Sequence, residues 1–185
     1  YWKPPPQCQA KLEQALSQQH ADGDDNSQTL HLYGPDEGLP ELRELLLQKL
    51  AAENGLSNHD VMVTVGANQA YMNCVLALLS SETEDRAIVF RPYYFNHYMA
   101  LQMTIGEDQI ITGPTSDAGA PDLDWLQEQL ENQDLNSDLR RIRLVTITNP
   151  CNPTGCAQSR EFVQRAVQLC RMHHAWLVLD ATYEY

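Results

Sequence analysis

The chain has 185 residues, 43% of them hydrophobic, which is enough length and apolar material for one domain with a core of its own. Its 25 acidic residues outnumber its 12 basic ones, and the formal net charge of −13 argues against nucleic acid or an anionic membrane surface as partner. No apolar run approaches the roughly 18 residues of a membrane-crossing helix, and the one basic cluster (Arg140, Arg141, Arg143), flanked by Asp134 and Asp138, reads as a solvated face.

Residues 1–35 read as an N-terminal arm and linker: a Pro-rich start, a short helix near Gln9 to His20, then the polar stretch ADGDDNSQ. From Pro40 to Asn54 leucines at 42, 45, 46 and 50 recur at helical spacing, with Pro40 suited to the first turn and Gly55 to the stop. A regular alternation follows. VMVTV (61–65) predicts a strand and Asn68 to Leu79 a helix. AIVF (87–90) predicts a second strand, with a helix from about Tyr93 to Met103 behind it. QIIT (109–112) is a short strand, and Asp122 to Leu130 a helix with Trp125 and Leu126 on its apolar face. RLVTIT (143–148) is a long apolar strand. Ser159 to His174 carries Phe162, Val163, Ala166, Val167 and Cys170 on one stripe, and WLVLD (176–180) is a last strand. Apolar strands alternating with amphipathic helices imply an α/β architecture, three layers α-β-α around a mainly parallel sheet. In such sheets ligands gather at the carboxyl ends of the strands.

Four strand ends carry unusual residues. In VTVGANQA (63–70), Gly66 permits a tight turn into a helix, and the N–H groups of Ala67 and Asn68 would face outward as an anion or phosphate site. Any strand-to-helix turn can look this way. RPYYFNHY (91–98) puts Tyr93 and Tyr94 after a strand, where a ring can stack on a planar ligand or pack as core under a loop. TNPCNPTG (148–155) holds two Asn-Pro steps and a Gly in eight residues. Each proline ends strand pairing and keeps the preceding Asn extended, so the loop presents Asn149 and Asn152 as fixed amides. In LDATYEY (179–185), Asp180 stands where the apolar run stops and Tyr183 three residues on. A buried carboxylate needs a cation or donor, while an Asp there also serves as a helix cap. Phosphate cradle, aromatic plate, amide donor, carboxylate and phenol together describe a planar, phosphorylated cofactor with a basic ring nitrogen and a phenolic oxygen, pyridoxal 5′-phosphate (PLP).

With these motifs the chain resembles the class I/II aminotransferases, the fold type I PLP enzymes, from about Tyr33 to Tyr183. NPCNPTG is similar to the family's NPxNPTG signature, YGPDEGLPELRELL (33–46) to its Y-x-x-x-x-G-x-x-x-L-R element, VTVGANQA to its phosphate turn and DATY to its D-x-x-Y. The resemblance implies an aspartate aminotransferase-like large domain, of which residues 36–185 would be an N-terminal, incomplete portion. It implies cofactor contacts at Gly66, Ala67 and Asn68 (phosphate), Tyr94 (ring face), Asn152 and Tyr183 (3′-oxygen) and Asp180 (pyridine nitrogen). Tyr33 would reach the phosphate of a neighbouring subunit, which requires a homodimer. The activity implied is transfer of an amino group from an amino acid to a 2-oxo acid. Ala181 departs from an acidic residue common after the aspartate, a position not usually in contact with the cofactor.

One absence is larger. PLP transaminases need a lysine that forms a Schiff base and shuttles the proton at the substrate α-carbon. The only lysines are Lys3, Lys11 and Lys49, all ahead of the first strand and all readable as surface charge. The chain is therefore expected to be part of a longer enzyme and inactive alone. The alternatives are another fold type I PLP enzyme (lyase or synthase), or a non-catalytic PLP-binding homologue. The tyrosines at 71, 93 and 94 draw attention to aromatic amino acids as substrates, although the substrate itself cannot be read from these residues. Five cysteines with no C-x-x-C pair argue against a metal site or disulfide framework and for a reducing compartment, read as cytoplasmic. Organelle targeting is not legible, because the sequence does not begin with Met.

Overall fold

The computed structural model describes residues 3–21, 33–83, 85–135 and 140–184. The polar linker expected at 21–28 lies, apart from Ala21, outside those residues, as does Asp138. The chain divides into two compact units, Tyr1–Val63 and Thr64–Tyr185.

The first unit holds helices α1 (Pro6–Ala21) and α2 (Pro40–Asn54). Proline opens α2 where its missing N–H costs nothing, and Gly55 closes it in the left-handed region at φ 65°. Arg43 of α2 donates to the Val61 carbonyl and to Asp60, both at 2.7 Å. Val63 N–H donates to Glu37 O at 2.8 Å. These bonds account for a correction: residues 61–65 form no strand. Backbone polar groups become a strand only where a neighbouring strand takes them, and here the available partners are a turn and an arginine.

The second unit alternates as the sequence predicts. Helix α3 (Gly66–Leu78) leads to strand β1 (Arg86–Phe90), then α4 (Phe95–Ile105) and β2 (Ile110–Gly113). Helix α5 (Leu123–Leu135), β3 (Ile142–Thr148), α6 (Arg160–Met172) and β4 (Trp176–Asp180) complete it. All pairings are parallel, in the order β2-β1-β3-β4. β1 is buried almost throughout, as a strand covered on both faces must be. On one face Ile88, Phe90 and Val145 meet Leu126, Leu130 and Leu169 from α5 and α6. On the other, Ala87, Val89 and Leu144 meet Tyr71 and Val75 of α3 and Leu101 of α4. The result is a three-layer α-β-α arrangement. Trp125 meets Phe90 edge-on at 6.1 Å, and only a glycine fits beside them, because a Cβ on Gly113 would stand 2.7 Å from both rings.

Candidate functional site

The site forms where β3 and β4 end and α3 and α4 begin. α3 starts at Gly66, whose φ of 75° is a conformation that only glycine adopts without strain. No side chain caps this helix start, so its first N–H groups, those of Ala67 and Asn68 among them, have no acceptor within the helix. The helix dipole adds partial positive charge at the same point.

Behind β3 the chain runs through the two Asn-Pro steps, both cis, as is Arg91–Pro92. The loop is closed by its own backbone: Cys151 N–H donates to Cys156 O at 2.8 Å, and Gly155 N–H to Cys151 O at 2.7 Å. The two asparagines separate in role. Asn149 braces the loop, its Oδ1 accepting from Gln158 N–H at 2.8 Å. Asn152 turns outward, and its Nδ2 donates to the Tyr183 hydroxyl at 3.3 Å. The presentation expected of both amides therefore holds for Asn152 alone.

Asp180, the last residue of β4, is the electrostatic centre. One carboxylate oxygen accepts from His97 Nε2 at 3.1 Å. The other accepts from the Thr182 N–H at 3.0 Å and the Thr182 hydroxyl at 2.6 Å. His97 and Thr182 hold the carboxyl down to about 2, against the opposing effect of burial. At neutral pH Asp180 is thus an anion set on the cleft wall.

One cleft of about 230 Å³ is lined by Gly66, Ala67 and Asn68, by Tyr94 just ahead of α4, and by Asn152, Asp180 and Tyr183. The fold thus brings together seven of the eight residues singled out from the sequence. The eighth, Tyr33, belongs to the first unit, where its side chain is fully exposed. The rings of Tyr94 and His97 stand nearly perpendicular with centroids 5.4 Å apart, and the Tyr94 hydroxyl accepts from Asn96 at 3.0 Å. Thr182 lines the same cleft.

Sequence reasoning missed Thr182 and His97. The signal for His97 was present: it lies on the stripe His97, Ala100, Leu101, Ile105 that α4 buries against the sheet, where a histidine must find a partner. Tyr71, which drew attention as a possible substrate-side residue, is buried in the core at 4% exposure. None of the three lysines lines the cleft. Lys11 bonds Gln14 at 3.2 Å on α1, and Lys49 pairs with Glu53 at 3.1 Å on α2. All five cysteines are free thiols. Among the described residues there is no metal-holding cluster of His, Cys, Asp or Glu, and no helix long and apolar enough to cross a membrane.

With this geometry in hand, comparison with known proteins gives a single answer. Residues 4–185 match the model of the family "Aminotransferase class I and II", and the chain belongs to that family. It is 42% identical over 186 residues to the aromatic aminotransferase ISS1 of Arabidopsis thaliana, covering 100% of this chain and 43% of that protein. It is 30% identical over 155 residues to the aspartate/prephenate aminotransferase of Thermus thermophilus, covering 83% of this chain and 38% of that one. A solved structure of Thermus thermophilus aspartate aminotransferase, a tetra mutant, superposes with a TM-score of 0.77 at 27% identity, covering 96% of this chain and 44% of that one. The chain has the aspartate aminotransferase type of fold and spans less than half the length of these relatives.

Proposed function

We propose that this chain supplies the phosphate-binding, ring-binding and ring-nitrogen contacts of a PLP-dependent aminotransferase, which moves an amino group from an amino acid to a 2-oxo acid. The observation that carries the reading is the cleft itself. An uncapped helix start, an outward amide, a phenol and an anionic carboxylate converge there from residues 66 to 183. The donor set fits the group. Backbone N–H groups at Ala67 and Asn68 match a phosphate, and Asp180, kept anionic by His97 and Thr182, matches a pyridine nitrogen that must stay protonated.

When bound, PLP supplies an electron sink for the electron pair left at the amino acid's α-carbon. The residues of this chain prepare that chemistry. Asp180 would hold a proton on the ring nitrogen. Asn152 and Tyr183, already joined at 3.3 Å, would donate to the phenolic oxygen. Tyr94 would cover one ring face and exclude water from it. The lysine that bonds the cofactor lies, on this reading, outside these residues, in the remainder of a protein about the length of its relatives. Residues 36–185 are then the N-terminal portion of the large domain. A homodimer, in which Tyr33 reaches the neighbour's phosphate, completes the proposal.

The test is Asp180→Ala in the full-length protein. Removing a charged hydrogen-bond partner should weaken PLP binding and turnover by roughly ten- to a hundredfold. Unchanged affinity and turnover would show that Asp180 does not hold the ring nitrogen. Product analysis with an added 2-oxo acid checks the reaction type, because a transaminase converts that acid and a lyase leaves it untouched.

A further inference from the structure

Behind Asp180 the structure holds a buried column whose far members, Tyr71 and Thr146, the contacts proposed above do not use. His97 is 3% exposed and lies between two aromatic rings. Tyr71 packs against it at a centroid distance of 4.1 Å with the planes 38° apart, and Tyr94 meets it edge-on at 5.4 Å. The Tyr71 hydroxyl shares a hydrogen bond with Thr146 Oγ1 at 2.9 Å, joining α3 to β3 across 75 positions of sequence. Thr146 is itself buried. The path therefore runs from β3 through α3 and α4 to the carboxylate on β4. At its α3 end it begins five residues after Gly66, on the helix whose first turn faces the cleft.

Each link constrains the next. A phenol this deep needs a hydrogen-bond partner, and Thr146 provides it, so the ring cannot turn away. Burial pushes the Tyr71 hydroxyl well above its usual value, so the group is neutral and adds no charge beside His97. Packed between the Tyr71 ring and the nearly perpendicular Tyr94 ring, the imidazole is held with Nε2 toward Asp180. A leucine at position 71 would fill part of the space but offer no flat surface to a ring.

We propose that Tyr71 is a positioning residue for the ring-nitrogen end of the cofactor site: braced by Thr146, its ring sets the orientation of His97, and through His97 that of the Asp180 carboxylate. The inference rests on the proposed role of Asp180. It also assigns α3 a double duty, since one helix then carries the phosphate contacts at its first turn and the support of Asp180 on the turn that follows.

The experiment compares two probes on the full-length protein: PLP, and its 1-deaza analogue with carbon in place of the ring nitrogen. Both carry the same phosphate, aldehyde and phenolic oxygen, so their difference reports the ring-nitrogen contact. Tyr71→Leu should weaken PLP by about tenfold, the size of effect seen when the support of a binding group is removed, while changing the analogue less than about threefold. Tyr71→Met, which fills the space without a planar face, should behave alike and serves where the leucine variant does not fold. Tyr71→Phe, which keeps the ring, should retain most of the discrimination. Equal loss for both probes, or no loss for either, in a wild-type background that discriminates between them would overturn the role of Tyr71 alone. A wild-type protein that binds both probes equally would overturn the role of Asp180 and that of Tyr71 together.

Discussion

At the scale of single residues, the site's electrostatics turn on one carboxylate. Asp180 is held at about 2 in the folded chain, by His97 first and Thr182 second, against about 4 in an unfolded one. The folded state therefore prefers the ionised form. The stability this contributes is complete above pH 4 or so and is lost as pH falls through about 2. Asp180→Asn in the cofactor-free protein should accordingly lie below wild type in urea midpoint at pH 7, with a gap that closes toward pH 2. A gap that does not change with pH would show that the His97 and Thr182 contacts do not favour the charged form. Asp180 and Asn152 were legible in the sequence because polar groups at the ends of apolar runs have few bland uses. His97 and Tyr71 were not, because their meaning depends on which face of α3 and α4 meets the sheet and on what stands opposite, at Thr146 and Asp180.

At the scale of elements, local chemistry set most boundaries. Pro40 and Gly55 bracket α2 where the sequence placed them. Ser159 caps α6 by accepting from Phe162 N–H at 3.2 Å, satisfying one orphan donor of that helix. Ser159→Ala should cost about 1 kcal/mol of stability, read as a shift in denaturant midpoint with an unchanged slope. No shift would mean that water satisfies the donor equally well. Residues 61–65 show the limit of local reasoning. Val61, Val63 and Val65 have strand propensity, yet the segment bonds to Glu37 and Arg43 instead of a strand. Propensity describes a fit to a pleated, half-buried surface, and the surface has to be there.

At the scale of the whole molecule, the sheet ends on β4, beyond β3 and with no strand on its far side among the described residues. Trp176 and Leu179 on that strand are 57% and 41% exposed. An apolar edge with unpaired backbone groups invites association. Expressed as these 185 residues alone, the chain should elute in size-exclusion chromatography well above its 21.0 kDa. A sharp, cooperative thermal transition as a monomer would contradict this. The cleft was visible in outline because a parallel sheet places every strand's carboxyl end on one edge, so the three motifs behind β1, β3 and β4 had to share it. What the sequence determined by itself were the properties that short-range sterics and hydrogen bonding decide: the helices and their stops, the extended Asn-Pro loop, the glycine turn at 66, and the family that those motifs mark. The tertiary structure alone decided which asparagine braces the loop and which faces the cleft, that residues 61–65 stay outside the sheet, and that a histidine and a tyrosine from two helices stand behind Asp180. Those outcomes depend on partners outside the local pattern, 75 positions away for Tyr71 and Thr146 and 83 for His97 and Asp180, and no local pattern records which of several possible partners the packed core will bring into reach.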